Sequence, residues 1–144
     1  MKQPYMPDRW VVLEFDSPNL ETPVRKVLGG WYGGFAGSDN WRLNSGIVAM
    51  EPVPNRDGWL NFKGGSGSEY HCHPNNYSCS SLMMQVIKGW EDQAVNLPGY
   101  TVRILSIDEV LSLCIIMFSL GILWLLIHES FWLMRLCRVT SSAR

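Results

Sequence analysis

The sequence predicts an α+β domain followed by a C-terminal membrane helix, and three observations carry that prediction. Five or six short runs rich in β-branched and aromatic residues succeed one another between Gly, Pro and Asn breaks over residues 9–105. One later segment changes period: Leu82, Met83, Val86, Ile87 and Trp90 fall on one face of a helix from Ser80 or Ser81 to Gln93, with Lys88, Glu91 and Asp92 mainly opposite. Finally, the eighteen residues from Val110 to Ile127, VLSLCIIMFSLGILWLLI, carry no charge. Together these imply a small antiparallel β-sheet or half-open barrel, one amphipathic helix laid across it, and a C-terminal transmembrane helix. The chain divides into a flexible N-terminus (1–8), a β-rich α+β domain (9–105), the transmembrane helix (106–134) and a short basic tail (135–144).

The elements follow in order. Residues 1–8 hold two prolines and no period, and read as an unstructured lead. Trp10–Phe15 is a strand by composition, closed by Asp16-Ser17-Pro18-Asn19. A shorter run, Pro23–Leu28, ends at Gly29-Gly30. The next stretch, GGWYGGFAGSDNW, combines glycines that permit close backbone approach with Trp31, Tyr32, Phe35 and Trp41, and suits a bent strand or packed loop. Gly46–Met50 forms a strand, Pro52–Gly58 a turn, and Trp59–Lys63 the returning partner. Ser68–Cys72 follows a Gly/Ser break, and Gly99–Leu105 is a last strand running almost directly into the apolar helix.

That helix begins at Ser106-Ile107-Asp108-Glu109, which has the S-x-x-E form of a capping box. Eighteen residues rise about 27 Å, close to the roughly 30 Å of a hydrocarbon core. Phe131 and Trp132, then Arg135 and Arg138, suit the exit from a bilayer. The competing reading is a helix buried at the centre of a multi-subunit assembly. Residues 1–109 carry nine Lys/Arg and twelve Asp/Glu, which argues against nucleic acid as a partner; the three arginines after the helix suit an anionic membrane surface. No apolar signal segment opens the chain, so the N-terminal domain reads as cytosolic on a single-pass C-terminal anchor, although the positive-inside count pulls the other way.

Two constellations offer chemistry. His71, Cys72, His73 and Cys79 are the cluster of soft ligands, and His71, His73 and Cys79 are the set through which zinc would bind. In a strand His71 and His73 share a face while Cys72 points away, so the spacing departs from common zinc patterns. A Cys72–Cys79 disulfide would require an oxidising compartment. Ser66 and Ser68, near Glu69 and His71, lack the order of a phosphate loop or a nucleophile elbow, and a tight turn accounts for the glycines.

The segments Gly30-Trp31-Tyr32-Gly33-Gly34, Trp41-Arg42-Leu43-Asn44-Ser45-Gly46-Ile47 and Ser66–Cys72 together resemble small uncharacterised proteins of phages and their bacterial hosts, over residues 9–93. The resemblance implies a compact β-rich domain and supplies no activity. The function expected is therefore that of a membrane-anchored, non-enzymatic binding protein. Its partners would be the bilayer and a protein, the latter met by Trp31, Tyr32, Phe35, Asp39, Trp41 and Arg42. The alternatives are a small metal-dependent enzyme or zinc-stabilised domain, and a subunit of a larger membrane complex.

Overall fold

The computed structural model describes residues 3–33 and 38–115. Phe35 and the chain from residue 116 onward, which includes most of the expected membrane span, lie outside the described residues.

The strands are β1 (Arg9–Asp16), β2 (Val24–Trp31), β3 (Asn40–Leu43), β4 (Ile47–Pro52), β5 (Leu60–Gly64), β6 (Glu69–Cys72) and β7 (Thr101–Ile104). Helix α1 (Ser81–Val95) lies between β6 and β7, and a second helix, α2, occupies 107–115. All strand pairs are antiparallel, as expected, but they form two sheets rather than one: β3-β2-β1-β7 and β4-β5-β6.

The chain changes sheets at Asn44-Ser45-Gly46, and local bonding explains how. The Asn44 backbone N–H donates to the Val27 carbonyl (2.9 Å), continuing the β2–β3 ladder for one residue. Its side-chain Oδ1 then accepts from the backbone N–H groups of Val27 (3.0 Å) and Gly46 (3.2 Å). Gly46 takes a φ of 121°, a region that favours glycine, and the chain leaves along β4.

Alternation along β1 assigns its two faces. Trp10 and Val12 meet Val27, Met50, Phe62, Tyr70 and Cys72 in a core between the sheets, closed by Leu105, Val110 and Cys114. Val11 and Leu13 meet Leu28, Met83 and Ile87 of α1 on the other side. The expected amphipathic face of α1 is thus the buried one. At about 1.5–3 kcal/mol for each large apolar side chain removed from water, the two cores provide the main driving force. Trp10 lies between Phe62 and Tyr77 at centroid distances of 5.1 and 4.7 Å, and its Nε1 donates to the His73 carbonyl (2.8 Å). The pair Gly29-Gly30 lets both layers approach β2: a Cβ on Gly29 would sit 3.0 Å from Pro7, and one on Gly30 would sit 2.6 Å from the Met83 sulfur.

The lead segment differs from expectation. Tyr5 bridges Tyr70 in parallel; its N–H donates to Glu69 O and its carbonyl accepts from His71 N–H, both at 2.8 Å. Pro7 is buried. Tyr5 therefore satisfies the open edge of β6, while Asp8 N–H donates to the Gly30 carbonyl of the larger sheet (2.9 Å).

The capping box forms as the sequence predicts. Ser106 Oγ accepts from Glu109 N–H (3.2 Å), and Glu109 Oε2 accepts from Ser106 N–H (2.7 Å). Arg103 joins Glu109 (2.9 Å) to Glu14 (2.8 Å), which also pairs with Arg25 (3.0 Å). These bonds draw the Glu109 carboxyl down to about 2, with the Ser106 backbone N–H the leading cause and Arg103 next. Val110 and Cys114, four residues apart, are buried against the domain, while Leu111 and Ile115 remain exposed. No helix among the described residues is long and apolar enough to cross a membrane.

Candidate functional site

The Gly/aromatic segment splits between core and surface. Trp31 packs against the inter-sheet core, meets Tyr5 edge-on (6.3 Å), and donates from Nε1 to the Met6 carbonyl (2.8 Å). Tyr32 is exposed beneath the Arg9 guanidinium (5.3 Å), and its N–H is held by the Asp8 carboxylate (2.9 Å). Along edge strand β3, Trp41 and Leu43 turn toward α1, where Trp41 meets Trp90 edge-to-face at 5.6 Å. Arg42 projects to the opposite face and lies over the Tyr5 ring at 4.6 Å.

Between these residues runs an open groove of about 480 Å³ lined by Tyr5, Trp31, Asn40, Trp41 and Arg42. Three of the six residues expected at a partner surface therefore come together: Trp31, Trp41 and Arg42. Tyr32 and Asp39 are exposed but are not among the lining residues, and Phe35 is outside the described residues. Trp41 keeps 40% of its surface exposed, a large apolar area to leave in water on an edge strand.

Tyr5 and Arg42 also wall a smaller recess of about 220 Å³ reached past β3, into which Asn44, Ser45, Ser66 and Ser68 face. Asn44 and Ser68 are buried, and Asn44 Nδ2 and Ser68 Oγ have no hydrogen-bond partner among the described residues. Sequence reading missed Tyr5 and Asn44 because their roles come from pairing across the fold. The Asn-Ser-Gly order after a strand is a turn signal that marks the position but not the recess.

The soft-ligand cluster disperses. Cys72 lies in the inter-sheet core and Cys79 packs against the α1 core, so the two thiols belong to different clusters; both are free. Burial pushes the Cys72 thiol well above its ordinary value. His71 faces outward from β6 with its pKa lowered by burial. His73 Nδ1 accepts from Asn75 N–H (3.2 Å), capping a single 3-10 turn, and its ring sits against Trp59 (5.5 Å). Among the described residues no group of three His, Cys, Asp or Glu side chains that could hold a metal ion occurs, and the expected zinc set His71, His73 and Cys79 is not brought together there. The alternation that separates Cys72 from the histidines is a strand property, and the cap at His73 removes the second histidine. Nor does His71 or Glu69 hydrogen-bond to Ser68 Oγ, so no general base activates that hydroxyl here.

No family model matches this chain, and neither curated proteins nor solved structures gave a match. The site is read from its own geometry.

Proposed function

We propose that this protein is a non-enzymatic binding module held at a membrane by its C-terminal helix, with the β3-edge groove as its protein-binding surface. The observation that carries this reading is the open groove in which half-exposed Trp41, Trp31 and Tyr5 surround a guanidinium that has no acidic partner among the described residues. Aromatic and Arg side chains are the residues that most often dominate protein interfaces. A catalytic reading lacks support: among the described residues no thiol, hydroxyl or imidazole near the groove has the base or metal partner that would activate it.

The uncharged run from Val110 to Ile127 supports the membrane anchor. The docked start of α2 limits which residues could serve it: with Val110 and Cys114 packed in the domain, a span would draw on the residues after 115 and reach past Ile127 to Phe131 and Trp132. Only Leu105 and Ser106 separate β7 from α2. The domain would stand close to the bilayer.

Two measurements test the parts separately. On alkaline extraction of membranes, the full chain stays in the pellet and a truncation after Ile115, which spares Val110 and Cys114, is released. Release of the full chain overturns the anchor. For the groove, Trp41→Ala and Arg42→Ser lose the protein cross-linked to the wild-type chain while keeping its thermal midpoint. Unchanged cross-linking overturns the binding surface.

A further inference from the structure

We infer that the recess beside the groove is a carboxylate-binding site, built from Arg42, Asn44 Nδ2, Ser45, Ser66 and Ser68. It deepens the proposed function by naming the group a protein partner would place there: a chain terminus or an acidic side chain next to an apolar residue.

The donors are arranged by bonds that leave their protons free. Asn44 Oδ1 is committed to Val27 N–H and Gly46 N–H, which assigns the amide orientation and leaves Nδ2, with two protons, buried and without a partner among the described residues on a side chain that lines the recess. Ser45 Oγ accepts from Ser66 N–H (2.9 Å), so its own proton remains to donate. Ser68 Oγ is buried without a partner among the described residues. The two serine hydroxyls converge over Gly64: a Cβ built there would stand 2.5 Å from Ser68 Oγ and 2.9 Å from Ser45 Oγ, so a side chain at this position would displace them. Buried donors without acceptors are costly, and an acceptor-only ligand relieves two of them at once.

Charge selects among anions. Of the described residues lining the recess, Arg42 alone is charged; the rest are neutral polar residues, two tyrosines and Leu43. One cation with neutral donors matches a monoanion, whereas a phosphate dianion calls for more positive charge. The planar guanidinium pairs with a carboxylate through two parallel hydrogen bonds. Its stack on Tyr5 fixes the plane in which it does so. Tyr70 stays a neutral phenol, its pKa pushed up to about 12 mainly by burial, so it adds no competing negative charge at neutral pH.

The test uses propionate, which carries the carboxylate but is too small to use the aromatic groove. Full-length 15N-labelled chain in detergent micelles is titrated while the Asn44 side-chain amide and Ser68 backbone signals are followed. Saturating shifts in the millimolar range are expected, with at least about 10-fold weaker binding in Arg42→Gln and Asn44→Asp. Asn44→Asp keeps the Oδ1 acceptor that the turn needs, and Ser68→Ala weakens binding with no demand on the fold. Trp41→Ala leaves the propionate response intact, which separates this site from the groove. Shifts that fail to saturate, equal shifts with inorganic phosphate, or an unchanged affinity in all three recess variants would each overturn the carboxylate assignment.

Discussion

Asn44 holds two buried backbone N–H groups with one carbonyl oxygen, and Asn44→Ala is the perturbation that reads out its worth. The variant removes the acceptor for Val27 N–H and for Gly46 N–H, both on buried residues. Leaving a buried donor without a partner costs about 1–3 kcal/mol, so two together cost roughly 2–6 kcal/mol. Against a domain stability of about 5–15 kcal/mol that is a large fraction. With a urea slope of about 1–3 kcal/mol/M, a loss in the middle of that range lowers the midpoint by about 1–4 M. The assay is urea unfolding followed by tryptophan fluorescence, since Trp10 passes from full burial to solvent. Ser68→Ala, a neighbouring buried substitution that leaves both bonds in place and removes a hydroxyl without a partner among the described residues, serves as the control and keeps most of the stability. If Asn44→Ala is no less stable than Ser68→Ala, the side chain does not hold the crossing between the sheets, and the account of the turn is wrong.

Three further outcomes follow from the same geometry. Tyr77 donates from its hydroxyl to Leu105 O (2.6 Å) and accepts from Val12 N–H (3.1 Å), so Tyr77→Phe costs about 1–3 kcal/mol in the same unfolding assay. Burial raises the Tyr77 phenol to about 12 from its ordinary 10.0; the stability from its neutral form is present below pH 10 and fades toward pH 12, a loss that Tyr77→Phe abolishes in an alkaline titration. Glu109 shows the opposite sign: its carboxyl is lowered from 4.5 to about 2, so its contribution is present above pH 4.5 and is lost as pH falls toward 2, and Glu109→Gln flattens that acid limb when followed by circular dichroism. Cys72 resists a thiol reagent at neutral pH until urea exposes it, as site-resolved mass spectrometry will show, and added zinc leaves the unfolding midpoint unchanged; a zinc-dependent rise would refute the dispersal of the ligand cluster.

Much of the scaffold was legible because its signals are local. Runs rich in β-branched and aromatic residues between Gly, Pro and Asn breaks located β1, β2, β4, β5, β6 and β7, and period 3.6 located α1 and its buried face. The box at Ser106 and Glu109 is a contact between neighbours in sequence, and it formed as written. Where expectation departed from the fold, pairing across the chain was the cause. Residues 3–8 carry no periodicity, yet Tyr5 bonds to β6 because that edge is open. The four-residue strand β3 was hidden in the Gly/aromatic stretch and exists because β2 offers it a ladder.

The candidate site divides along the same line. Composition alone singled out Trp31, Trp41 and Arg42, because aromatics and arginine among glycines signal area and charge at a flexible backbone. It also named His71, His73 and Cys79, whose chemistry suits zinc but whose side chains alternation, capping and core packing send to separate places. The sequence by itself determined the α+β class, the helix face, the cap and the uncharged run from Val110 to Ile127, since each depends on residues a turn or two apart. Only the tertiary structure decided that the strands split into two sheets and that Val110 and Cys114 belong to the domain. It alone brought Tyr5, Arg42, Asn44 and Ser68 around one recess. Those are long-range arrangements, set by which buried donors and apolar faces satisfy one another once the chain closes on itself.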